Sequence, residues 1–237
     1  MTTPTPLMTA HRAPQRLPKA ELHCHIEGTV APVVAQRLAQ RHGLDLSHVI
    51  DEQGRYIWSD FKEFLGAYDA MTAAIQTPED YYDLTVAYYE AAAEQGLRYG
   101  EMFISADHPK RHGISYPTFL DAVTAGLKDV AASHGVHARL ILTAVRHYGV
   151  EHSLETARLA QKHPHPFVVG FGIAGDEAHL PHSAFTQAFE IAADAGLRLT
   201  GHAGEHMGPE GMWSALKALK LERFGHGVRA HEDPDLV

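Results

Sequence analysis

Short apolar or β-branched runs recur along the chain at 19–26, 97–104, 137–145, 167–174, 197–202 and 222–226. Between them, at 31–41, 59–75, 78–95, 116–133, 151–162, 183–195 and 209–219, apolar residues fall at helical spacing. Local punctuation agrees with this division. Thr77 is placed to cap a helix, with Pro78 at its first position and Glu79 and Asp80 in its first turn. Gly96, Gly135 and Gly196 mark steps from helix into strand. Near-continuous apolar strands alternating with helices predict a parallel sheet covered by helices, an α/β fold.

The ends of the predicted strands separate a barrel from an open sheet. They read His23-Cys24-His25, Ser105-Ala106-Asp107-His108, Arg146-His147, Gly175-Asp176-Glu177, His202-Ala203-Gly204-Glu205 and His226. Polar groups at the carboxyl end of strand after strand fit a TIM (β/α)8-type barrel better than an open sheet with one crevice. Six βα units are countable, so strands 7 and 8 are not represented. Residues 1–16, rich in Pro and Thr, are expected to be a flexible N-terminal arm. Residues 17–237 are expected to form a single barrel domain, C-terminally incomplete, with a helical lid insertion around 31–95. The run Glu232-Asp233-Pro234 is expected to start a further helix.

Composition narrows the chemistry. The 237 residues include 20 Lys+Arg against 29 Asp+Glu, a net charge of −9. That argues against a nucleic-acid backbone or an anionic membrane as partner. The single cysteine, Cys24, excludes disulfide scaffolds and Cys-cluster metal modules. No stretch approaches a membrane span and the N-terminus lacks a signal-peptide core, so the expected location is cytoplasmic. Histidine is the outlier, at 19 residues.

His23 and His25 lie two apart on a predicted strand, so both imidazoles share one face while Leu22, Cys24 and Ile26 point towards covering helices. Two unrelated surface histidines would give the same spacing. His202 ends another predicted strand, three residues before Glu205, and His226 ends a third between Gly225 and Gly227. A lone strand-end histidine is commonly a structural residue. Together the three segments offer imidazoles for a metal, an acid and a base at one end of one sheet.

The segments Leu17–Gly28, Ala174-Gly175-Asp176-Glu177, His202-Ala203-Gly204-Glu205 and Gly225-His226-Gly227 occur in an order and spacing that resembles the adenosine/adenine deaminase family of the amidohydrolase superfamily. The likeness runs from about residue 15 to the last. It implies one Zn²⁺ per chain on His23, His25 and His202. It implies further that Glu205 protonates purine N1, that His226 orients or deprotonates the attacking water, and that the Gly175 N–H meets the purine. Glu27 is implied in substrate binding, and Phe61, Phe64, Leu65 and Tyr68 in an apolar lid. The same four positions, three and four apart, also fit a plain amphipathic helix packed on the barrel. The implied reaction is zinc-dependent hydrolytic deamination of adenosine or deoxyadenosine to inosine and ammonia, a step of purine salvage, with a small-molecule purine as the partner.

Substrate choice within that family divides the residues. Glu27 resembles the adenine enzymes, whereas Ala174-Gly175-Asp176-Glu177 resembles the adenosine enzymes, and Gly172 stands where the latter often carry an acid. Adenosine is the first expectation and adenine the alternative. A reading of another class is a zinc-binding barrel fragment without turnover, since the family's last Asp ligand, in a Ser/Thr-Asp-Asp-Pro segment, has no counterpart here. Gly170–Gly175 matches G-x-G-x-x-G, but Pro181 falls where a phosphate-binding helix should run. The other histidines, among them His42, His112, His134, His163, His165, His179 and His182, follow no ligand pattern and are expected to be solvated or incidental.

Overall fold

A computed structural model describes residues 17–237; the expected N-terminal arm lies outside the described residues. The chain opens with strand β1 (Lys19–His25), followed by α1 (Pro32–His42), α2 (Phe61–Thr72) and α3 (Pro78–Glu94). Then come β2 (Leu97–Ile104), the short α4 (Asp107–Arg111) and α5 (Tyr116–His134). From there strands and helices alternate: β3 (His137–Val145), α6 (Val150–Lys162), β4 (Val168–Ala174), α7 (Thr186–Asp194), β5 (Arg198–Ala203), α8 (Pro209–Leu219) and β6 (Arg223–His226). The six strands are all parallel and hydrogen-bonded in chain order, β1 to β6. They curl into a nearly closed barrel with helices outside, the (β/α)8-type architecture.

The apolar runs become strands because both of their faces are covered. Leu140, Leu142, Phe171 and Ile173 are completely buried. Phe171 meets Phe189 of α7 edge-on with ring centroids 5.1 Å apart, joining β4 to its outer helix. Burying a side chain of that size contributes roughly 1.5–3 kcal/mol. Helix α3 packs on α5 and on β2, so it belongs to the outer ring. β1 is an edge of the sheet, and Leu22 on it is exposed rather than covered by a helix.

Thr77 and Asp80 form a reciprocal capping box at the start of α3. The buried Asp80 carboxylate also accepts from Arg41 at 2.6 Å and pairs with His42 Nε2 at 2.9 Å. His42 is thus structural rather than incidental, because its partner lies 38 residues away, beyond any local pattern. The last residues differ from expectation too. Val228–Glu232 is a 3-10 turn, and Asp233 closes a tight turn by accepting from Asp235 N while also accepting from Trp213 Nε1 at 2.8 Å. Among the described residues no helix is long and apolar enough to cross a membrane.

Candidate metal and catalytic site

The carboxyl ends of the strands converge on one cavity of about 200 Å³. β1 brings His23 and His25, both pointing inward as their spacing requires, and β5 brings His202. His25 Nε2 and His202 Nε2 are 2.9 Å apart, and one ligand atom from each of the three histidines lies within 4.8 Å of the others. Metal bonds of 2.0–2.1 Å in a tetrahedral site set ligand nitrogens about 3.4 Å apart, so modest ring rotations suffice to close this set on an ion. Burial, with neighbouring imidazoles, lowers His23 to about 4 and His25 to about 3, and holds His202 well below its ordinary range. Neutral imidazole is the ligating form. Three neutral, mutually facing rings without a carboxylate partner fit a divalent cation with nitrogen preference, such as zinc.

The register between β5 and β6 explains how tightly this cluster is built. His202 stands opposite Gly225, and His226 opposite Ala203. A Cβ at Gly225 would lie 2.4 Å from His23 Cε1 and 2.8 Å from its Nδ1. The glycine therefore makes room for the His23 ring. Gly225→Ala should displace His23 and weaken zinc binding by roughly the 10–100-fold typical of losing an outer-shell support. Calorimetric zinc titration measures it; unchanged affinity would contradict the packing argument.

His226, the last residue of β6, adopts φ +67, a left-handed conformation unusual for a residue with a side chain. Its ring packs against those of His23 and His202, with centroids 4.7 and 5.0 Å away. Its Nε2 is 3.5 Å from Glu205 Oε2. Burial, reinforced by the Glu177 charge, raises the Glu205 carboxyl above its ordinary range, while His226 and His206 pull the other way. A protonated carboxyl beside an imidazole is a donor and an acceptor within reach of one reacting centre.

Opposite the histidines, α2 turns Phe61, Phe64, Leu65 and Tyr68 into the cavity. The helix starts where Asp60 accepts from Glu63 N at 2.8 Å. It is fastened to the barrel by Tyr148, whose hydroxyl donates to Asp69 Oδ1 at 3.1 Å. Glu27, buried in the turn that follows β1, accepts from Tyr68 OH at 2.9 Å and keeps its other oxygen unpartnered. Burial pushes its carboxyl up to about 7. Gly175, at φ +94, also lines the cavity, and the His147 ring would sit 2.7 Å from any Cβ there.

All the site residues expected from the sequence face this one cavity. The cavity also takes Ser105, His108, Thr143, Val145 and His147, to which the sequence assigned no role. Ser105, His108 and His147 stood in the strand-end segments, so the strand-end rule itself was the signal. His182, expected to be incidental, is buried and bonded to the fully buried Arg146, Nη2 to Nε2 at 2.7 Å. Arginine can only donate, so His182 Nε2 accepts and the ring is neutral; burial holds it at about 4.

The adenosine deaminase family profile matches residues 18–237. The chain is 42% identical to an adenine deaminase of Sinorhizobium medicae over 97% of its own length and 69% of that protein. It is 45% identical to an adenine deaminase of Mesorhizobium japonicum, over 92% and 67% respectively. Among solved structures, adenine deaminase from Arthrobacter aurescens superposes with a TM-score of 0.84 at 34% identity, covering 92% of this chain and 67% of that one. An amidohydrolase from Burkholderia ambifaria with bound Zn superposes with a TM-score of 0.86 at 29% identity, covering 99% and 65%.

Proposed function

The chain belongs to the adenosine deaminase family, and we propose that its substrate is the free base adenine, hydrolysed to hypoxanthine and ammonia. The observation that carries the reaction is the gathering of three neutral histidines and a Glu205–His226 pair at one largely apolar cavity. The likeness to adenine deaminases over nearly the whole chain favours adenine, and the order of substrates expected from the sequence is revised accordingly. The signal that favoured adenosine was the one segment Ala174-Gly175-Asp176-Glu177, outweighed by similarity spread along the chain.

His23, His25 and His202 would hold one zinc ion per chain, which when bound supplies hydroxide character to water at neutral pH. The remaining steps fall to the protein. Phe61, Phe64 and Leu65 cover the ring and exclude bulk water. The Gly175 backbone N–H meets the ring edge, and Glu27 with Tyr68 closes the far side. Glu205, protonated, gives its proton to ring N1, which makes C6 electrophilic enough for attack by water. His226 takes the proton of the attacking oxygen and passes it to the departing amine. Water adds, ammonia leaves, and the proton of the C6 hydroxyl returns to the Glu205 carboxylate as the carbonyl forms, while N1 keeps its proton in hypoxanthine. We read residues 17–237 as one hydrolase domain whose lid comes from the segment 31–95, chiefly α2.

Initial rates of the full chain on adenine and on adenosine test the substrate. Adenine should give the higher kcat/KM by at least tenfold, which corresponds to about 1.4 kcal/mol of differential transition-state binding. Equal or greater efficiency on adenosine would return the substrate to the nucleoside.

A further inference from the structure

The Glu177 side chain ties the loop after β4 to the loop after β5, beside a looser contact between Asp176 and His206 at 3.5 Å. Glu177 Oε2 accepts the backbone N–H groups of three consecutive residues, Glu205 at 3.1 Å, His206 at 2.9 Å and Met207 at 3.0 Å. The residue is only 5% exposed, and its second oxygen is buried without a hydrogen bond. Its acceptor capacity is thus concentrated on this one turn. On the other side, Arg229 Nη1 donates to His206 O at 2.8 Å. Burial alone would raise the Glu177 carboxyl, but the Met207 and His206 N–H groups bring it below its ordinary range, so it is ionised. Charge-assisted hydrogen bonds of this kind are about twice as strong as neutral ones.

We propose that Glu177 is the positioning residue for Glu205, fixing the turn from which the acid projects and tying it to the loop that carries Gly175. Glu177 itself touches no reacting atom. The turn needs such a clamp because it leaves β5 through Gly204, whose backbone is left-handed at φ +70, and no regular element takes over before α8 begins at Pro209. Three N–H groups with one acceptor fix three peptide planes at once. A side-chain oxygen misplaced by about 1 Å can cost on the order of 10²-fold in rate. The inference rests on the deaminase reading for its kinetic part and on the hydrogen bonds alone for its structural part.

The test uses the full chain, with amide hydrogen exchange and adenine kinetics on Glu177→Ala and Glu177→Gln. In Glu177→Ala, protection of the amides of Glu205, His206 and Met207 should be lost while the β-strands keep theirs. Its kcat should fall by about 10–100-fold, with KM within threefold and zinc content unchanged. Glu177→Gln retains an acceptor oxygen and should recover most of both. In a Glu205→Gln background, adding Glu177→Ala should cost no further activity, since the clamp acts through the acid. Should the alanine variant fail to fold, Glu177→Met replaces it, similar in volume without an acceptor. Retained protection at the three amides, a normal kcat in the variant without an acceptor, no rescue by glutamine, or further loss in the double variant would each overturn the proposal. If wild-type chain turns over no adenine, the deaminase reading fails while the exchange experiment still decides whether Glu177 holds the turn.

Discussion

Glu205→Gln should abolish nearly all turnover while leaving zinc in place. A positioned general acid contributes about 10²–10⁴-fold, and glutamine keeps the shape of the side chain without its transferable proton. The loss should fall on kcat and on kcat/KM alike, because the proton is delivered only as the ring is attacked. The pH profile adds a sign. The raised Glu205 carboxyl is competent while protonated, so its contribution is full at low pH and declines as pH rises through its folded-state value. Glu205→Gln should therefore erase that descending limb as well as lower the rate. Rates within threefold of wild type, or an unaltered limb, would remove Glu205 from the acid role.

His202→Ala should have an effect of the same order by a different route. His202 is 4% exposed, and its Nε2 faces His25 Nε2 at 2.9 Å, so its removal takes away one of three converging nitrogens and leaves a void among the remaining imidazoles. Removing an outer-shell support costs about 10–100-fold in metal affinity, and deleting a ligand should cost more than that. The purified variant should contain little zinc by elemental analysis and show no turnover until the metal is in large excess. The contrast with Glu205→Gln is diagnostic: one variant is empty of metal, the other loaded and inactive. A His202→Ala chain with full zinc would show that the ion is held elsewhere.

Much of this architecture is legible in the sequence because its signals are local. All six strands fall where the apolar runs lie, and α3 begins at the capping pattern of Thr77, Pro78 and Asp80. The H-x-H of β1 is legible because strand alternation alone puts two imidazoles on one face. The rest depends on contacts between distant segments. Gly225 shows no role until β6 is placed against His23 of β1. His42 and His182 look incidental until Asp80 and Arg146 are found beside them. Glu177 reads as one letter of a motif, and only the fold brings it under the three amides of the next loop. Substrate choice is the least legible, since Glu27 and the segment Ala174–Glu177 pull opposite ways and similarity along the whole chain favours adenine.

The central claim is that three histidines on two strands hold a metal that the purine-deaminating chemistry requires. Titrating zinc into metal-free chain while following adenine consumption tests it most directly. Turnover to hypoxanthine should rise linearly with added zinc and level off at about one equivalent per chain, with chelator reversing it. Adenine left unconsumed with one equivalent bound, or consumed at full rate with the metal removed, would contradict the account.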